Sequence, residues 1–237
     1  MFINPRVLAG NSLFIHLTFE RMRNKILLLA LITLWAVLQV HAQSSADRIR
    51  KNAVRIDNTE KLSDSVYHLL SPFQIIMFGE MHGTVESPQF VNGLANLLTA
   101  NGDSVSVGLE IPSASMGQFL ASHTDSSIYS STFFRSPPYE SGKESVDWAQ
   151  LISGLKDNPR VQLFFFDVNP EDKKMARDSV MYLKIKTQCL LHPNWKMITL
   201  SGNFHNRITD PRSMAFYLKQ DHTLDLSSKI CALNPYK

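Results

Sequence analysis

Two tetrapeptides, "GEMH" at 79–82 and "GNFH" at 202–205, each set a glycine three residues before a histidine. Imidazole titrates nearest neutrality, so His82 can serve as a general base with His205 and Arg177 steadying the oxyanion, or the two histidines can give neutral nitrogen donors to a metal. Acids accompany them: Glu80 lies two residues before His82, and Glu110 and Asp167 each follow an apolar run. A neighbouring carboxylate fixes the tautomer of an imidazole, and an arginine such as Arg177 can hold a carboxylate or an oxyanion through two parallel hydrogen bonds. The expected catalytic set is His82, Glu80, Glu110, His205 and Arg177, with Asp167 and Asn169 on the substrate side. In a metal-assisted version, His82, His205 and Glu110 would hold a divalent transition metal with open positions for water. The chain has neither a Gly-x-Ser-x-Gly elbow nor a His-Glu-x-x-His helix, so the expected nucleophile is water in both versions.

Residues scattered over more than a hundred positions meet only if the elements beneath them run the same way. Four short apolar runs, "FQIIMF" at 73–78, "SVSVGL" at 104–109, "VQLFFF" at 161–166 and "KMITL" at 196–200, read as buried strands. Helical patterns lie between them. Ser87 and Pro88 open one that runs to Leu98, and Asn169 and Pro170, followed by Glu171 and Asp172, open another that runs to Leu191. This alternation predicts an α/β domain with a mostly parallel sheet and helices on both faces. Every strand would then end on one edge, where open sheets of this kind bind ligands. The stretch 123–145, rich in serine and broken by Pro137 and Pro138, fits neither period and reads as a long loop.

Arg23 and Lys25 precede the apolar run 26–40, which ends in "VHAQ", the pattern of a secretory signal cleaved after Ala42. Met22 opens that signal so naturally that residues 1–21 read as an over-extended start. The expected organisation is an N-terminal extension and signal over 1–42, then one α/β domain over 43–237, secreted or periplasmic and without a membrane anchor after cleavage. Removing 1–42 takes away Arg6, Arg21, Arg23 and Lys25 against Glu20, so the remaining chain carries equal numbers of basic and acidic side chains. A neutral chain argues against nucleic acid, and the expected partner is a small-molecule or peptide substrate. Cys189 and Cys231 are compatible with a disulfide or with two buried thiols.

The motifs "GEMHGTVESPQF", "GLEIP", "FFFDVNP" followed by "ARDSVMYL", and "SGNFH" resemble, in order and spacing, those of the superfamily of erythromycin esterase-like proteins, haem-uptake ChaN-like proteins and Tiki/TraB metallopeptidases. The likeness spans about residues 73–220. It implies an α/β domain with a Glu/His cleft and carries over Glu80, His82, Glu110, Arg177 and His205. "HGTVE" leans toward the esterase branch and brings in Glu86 as a substrate-binding group. Two departures separate the chain from that branch: Met81 stands where esterases often have threonine, and 113–146 is shorter than their helical insertion. With the export signal, the expected function is an exported hydrolase of ester or amide bonds. Its alternative is an exported haem- or metal-binding protein without turnover, with His82, His205, Tyr129 or Tyr139 on iron and Phe133 and Phe134 over the ring.

Overall fold

The computed structural model describes Lys25 and residues 27–33, 56, 58–135, 143–172, 174–224 and 229–234. The chain forms two compact units, Met1–Arg55 and Ile56–Lys237. In the first, residues 27–33 are helical and their leucines exposed. The expected cleavage point after Ala42 and Tyr139 lie outside the described residues. Among those described, no helix is long and apolar enough to cross a membrane.

In the second unit the chain runs α1 (Asp64–Leu70), β1 (Ile75–Glu80), α2 (Glu86–Ala100) and β2 (Val105–Pro112). A 3₁₀ turn (Ser113–Met116) follows, then α3 (Gly117–Ser122), α4 (Asp125–Ser130), α5 (Thr132–Arg135) and α6 (Val146–Leu155). The last part is β3 (Val161–Asp167), a 3₁₀ turn (Pro170–Asp172), α7 (Arg177–Leu191), β4 (Lys196–Gly202), α8 (Met214–Gln220) and β5 (Ile230–Leu233). The sheet order is β3-β2-β4-β1-β5, and every pairing is parallel. The predicted α/β class, with helices on both faces, is the observed one.

The two faces hold separate apolar layers, as the period-two alternation of strand side chains requires. Ile76, Phe78, Leu109 and Leu200 pack with residues of α2, α3, α4 and α6, including the fully buried Trp148. Ile75, Met77, Phe164 and Phe166 pack with Met181 and Ile185 of α7 and Met214 and Leu218 of α8. On this second face the Phe164 ring lies against Gly108, where an added Cβ would stand 2.4 Å from the ring. Phe164 is itself buried and cannot swing away. Gly108→Ala is therefore expected to cost about 1–3 kcal/mol through overpacking, read from the chemical-denaturation midpoint.

Several boundaries differ from expectation, each for a local reason. The fifth strand, "ICAL", is a four-residue edge strand whose side chains are only partly buried, too short to show a period. Helix α2 starts at Glu86, while Ser87 is buried and shares a hydrogen bond with Thr84 at 2.9 Å. The helix expected from Asn169 starts only at Arg177, because Asn169 and Asp172 close a separate 3₁₀ turn through the Asn169 N–H and Asp172 Oδ2 at 2.8 Å. The expected loop 123–145 is helical over much of its described part. A reciprocal capping box between Thr124 and Ser127 starts α4, so one of the serines that suggested a loop is a helix-capping group. Both cysteines are free. Cys189 is buried at 3.9 Å from Met197 Sδ, and burial pushes its thiol up to about 12, the setting of an inert packing group.

Candidate functional site

Chain direction at the sheet edge creates the cleft. After β1 and β2 the chain crosses to the face of α2 and α6, whereas after β4, which lies between them, it crosses to the face of α8. Loops leaving neighbouring strands toward opposite faces open a crevice at their carboxyl ends. Gly202, the last residue of β4, is its floor.

Each histidine is aimed by a short turn. The Thr84 N–H donates to the Met81 carbonyl at 3.2 Å, with Gly83 at φ 87°. That is the pattern of a type II turn, whose third position needs a left-handed residue, so glycine follows His82. On the other strand the Asn203 N–H continues the ladder to the Glu80 carbonyl at 3.0 Å, and the His205 N–H closes on the Gly202 carbonyl at 3.0 Å. Both rings then stand over the same atom. A Cβ on Gly202 would lie 3.2 Å from His82 Nε2 and 3.7 Å from His205 Cδ2, so glycine leaves room for both.

The imidazoles are held alike. His82 Nδ1 pairs with Glu80 Oε1 at 2.8 Å, and His205 Nδ1 pairs with Asp178 Oδ1 at 2.9 Å. Asp178 is anchored in turn by the Met214 N–H at 2.8 Å, at the start of α8. These are two histidine–carboxylate dyads facing each other across a glycine. Sequence reasoning left Asp178 out of the site, although its place next to Arg177 at a helix start was visible.

Glu110 and Arg177 form a third group. The Glu110 carboxylate, fully buried, accepts from the Gly202 N–H at 2.6 Å, from Lys143 Nζ at 2.9 Å and from an Arg177 Nη at 2.5 Å. Arg177 also forks onto Asp167, Nε to Oδ1 and Nη to Oδ2, both at 2.8 Å. His205 Nε2 lies 3.6 Å from Glu110 Oε1, which connects this group to the second dyad. Lys143 comes from the end of the irregular stretch and was missed, because an isolated lysine there has no periodic or spacing signature.

The carboxyl environments diverge. Burial pushes Glu80 above the usual carboxylate range despite the pull of His82, and its Oε2 has no hydrogen-bond partner among the described residues. Burial works in the same direction on Asp167 and Asp178. It is outweighed by Arg177 at the first and His205 at the second, and both stay below the usual range. Four carboxylates, Glu80, Glu110, Asp167 and Asp178, thus surround two fixed cations, Arg177 and Lys143. The resulting field favours protons or a cationic group in the cleft.

Of the expected residues, His82, Glu80, Glu110, His205, Arg177 and Asp167 come together. Asn169 does not join them: its Oδ1 accepts from the Ala114 N–H at 3.0 Å and from Ser113 at 3.2 Å, which fastens the turn after β2. Glu86 stands apart from the dyads and lines a cavity over the β1–β5 edge. The expected metal trio of His82, His205 and Glu110 does not form a cradle. Glu110 is committed to two cations and a backbone N–H, and among the described residues no group of three His, Cys, Asp or Glu side chains is arranged to hold a metal ion. The rings expected to cover a haem are also engaged: Phe133 and Phe134 pack edge to face, 5.0 Å apart, against the first core layer, and Tyr129 points to solvent on α4.

No protein-family model matches the chain, and neither does any curated protein. Among solved structures, a Bacillus cereus protein is similar over 81% of this chain and 74% of its own, with a TM-score of 0.53 at 10% identity. ChaN of Campylobacter jejuni, described by its cofacial haem binding, is similar over 73% of this chain and 85% of its own, with a TM-score of 0.46 at 15% identity. The type III effector HopBA1 is similar over 65% of this chain and 82% of its own, with a TM-score of 0.44 at 14% identity. At 10% identity the likeness to the Bacillus cereus protein is one of fold alone.

Proposed function

We propose that this chain is an exported hydrolase of ester or amide bonds that activates water with its paired histidine–carboxylate dyads. The observation that carries the reading is the pair of imidazoles over Gly202, each with Nδ1 on its own carboxylate, His82 with Nε2 over that glycine and His205 with Nε2 3.6 Å from Glu110 Oε1. His82 Nε2 takes a proton from water as the oxygen attacks the substrate carbonyl, while Glu80 holds the Nδ1 proton. As the carbonyl carbon's bond to the leaving group breaks, the departing alcohol or amine takes a proton from His205 Nε2, and the proton held on His82 then passes to His205 or to solvent, which restores both rings. Arg177 spends Nε and one Nη on Asp167 and Glu110, so only its other Nη remains to meet the developing oxyanion. Its larger task is to hold the acids, and the expected oxyanion role shrinks accordingly. Export rests on the apolar run and the small-residue cleavage pattern before residue 43.

The test is a panel of activated esters and peptide amides offered to the purified full chain. Turnover that His82→Ala removes while the circular dichroism spectrum stays unchanged is the expected result. Turnover indifferent to His82, or none across the panel together with a Soret band in the purified protein, would overturn the reading in favour of haem binding. Asp178→Asn gives a finer check, since asparagine can still accept from the Met214 N–H but can no longer balance an imidazolium. Turnover should fall by about 10- to 100-fold with KM little changed, the size seen when a group orienting a site histidine is replaced.

A further inference from the structure

Glu86 opens a second part of the molecule that the dyads do not use. A cavity of about 550 Å³ lies over the β1–β5 edge at the start of α2, walled by Phe78, Phe90, Leu233 and Ile56, with Glu86 and Asn234 among its few polar residues. That is the size of a small-molecule site, and most of its wall is apolar. Strand side chains alternate, so Glu80 emerges on the same face of β1 as Phe78, about 6–7 Å further along.

The polar complement of the cavity is one-sided. Among the described residues, no lysine, arginine or histidine lines it. Glu86 brings the one formal charge among those lining residues. Thr59 gives its hydroxyl proton to Gln89 at 2.9 Å, and the Ser87 hydroxyl is shared with Thr84 at 2.9 Å. An apolar chamber whose charged group is a carboxylate selects against anions and for a protonated amine on an apolar body. The surplus of carboxylates around the dyads adds to the same preference.

We propose that this cavity receives the apolar body of an amine-bearing, cationic substrate, with Glu86 as the counter-ion, and that it thereby presents the scissile bond to the dyads. This rests on the hydrolase reading, of which it names the substrate class. Residues of the first dyad and of the cavity then act on one molecule, the cavity selecting it and His82 cleaving it.

The probes are three compounds of one shape, 4-phenylbutylamine, 4-phenylbutanol and 4-phenylbutyrate, titrated by calorimetry into the full chain. The amine should bind at least about tenfold more tightly than the alcohol, and the carboxylate weakest, a ratio worth about 1.4 kcal/mol per tenfold. Glu86 is exposed at the helix start, so Glu86→Gln and Glu86→Lys retain the fold. The first should erase the preference and the second should reverse it toward the carboxylate. His82→Ala should leave all three affinities unchanged. Equal affinities, a preference for the carboxylate in the native chain, or indifference to both Glu86 variants would overturn the proposal, as would no binding at all. Ester turnover without amine preference sinks the cavity proposal alone. Amine preference without turnover on any ester or amide of such an amine sinks the hydrolase reading and leaves the cavity as a binding site for cationic amphiphiles.

Discussion

Replacing His82 with alanine is expected to lower ester or amide turnover by about 10²- to 10⁴-fold, the range that a single general base supplies. The same change should also move stability, and the direction identifies the dyad. In the native fold burial already holds the Glu80 carboxyl above its ordinary value of 4.5, with His82 the main opposing influence. A group with a raised folded pKa takes up a proton more readily folded than unfolded, so the stability it contributes is lost as pH rises from its unfolded value through its folded one. Without His82, both Glu80 oxygens are buried and unpaired and the pKa climbs further. His82→Ala should then be about 1–3 kcal/mol less stable at neutral pH and regain part of that loss on mild acidification. Adding Glu80→Gln removes the charge, so the double variant should be more stable at neutral pH than His82→Ala and nearly flat across the same window. Turnover is read by initial rates, and stability by denaturant midpoints from pH 4 to 8, the span over which a raised carboxyl would titrate. A single variant as active as the native chain, or as stable with an unchanged pH profile, would show that the dyad does not work as described.

What could be read from the chain alone follows from how local each feature is. Strands β1 to β4 were legible because burial leaves continuous apolar runs, and their ends were legible because glycine, acid and histidine interrupt those runs abruptly. That the ends meet followed from the strands being parallel, and the two rings do stand over Gly202. Partners supplied by tertiary contact were harder to see. Lys143 reaches Glu110 from 33 positions away, and Asp178 reaches His205 from 27. Neither distance leaves a periodic trace. Asn169 shows the opposite error: a polar residue after a strand serves a turn as readily as a substrate, and here it fastens Ala114. Glu86 was placed by resemblance to a family motif, whereas the cavity that gives its carboxylate a setting is visible only once β5 is seen to flank β1.

Arg177 is where the stability of the site and its chemistry meet, and its removal should be the most damaging change to the fold. The guanidinium bridges Asp167 and Glu110, whose side chains are 9% and 0% exposed, and is itself 43% exposed. Breaking a fully buried pair strands a charge at a cost of about 3–5 kcal/mol; with one partner partly in water and Lys143 still on Glu110, about 2–4 kcal/mol is expected for Arg177→Ala. Arg177→Lys should recover only a small part, because an ammonium cannot span the fork that Nε and Nη make on Asp167. The pH dependence should change as well. In the native chain Asp167 is held below its ordinary 3.8, so its contribution is present above that value and lost as pH falls through the lower folded one. Without Arg177 only the Val168 N–H and Lys143 still oppose burial, the largest influence on this carboxyl, and its pKa rises. The acid limb of the stability curve should then shrink, because Asp167 no longer sits as far below its unfolded value. Denaturant midpoints from pH 2 to 7 would check this, since the native limb lies below 3.8. An Arg177→Ala protein that retains the native acid limb would mean that Asp167 is held down by something other than the guanidinium.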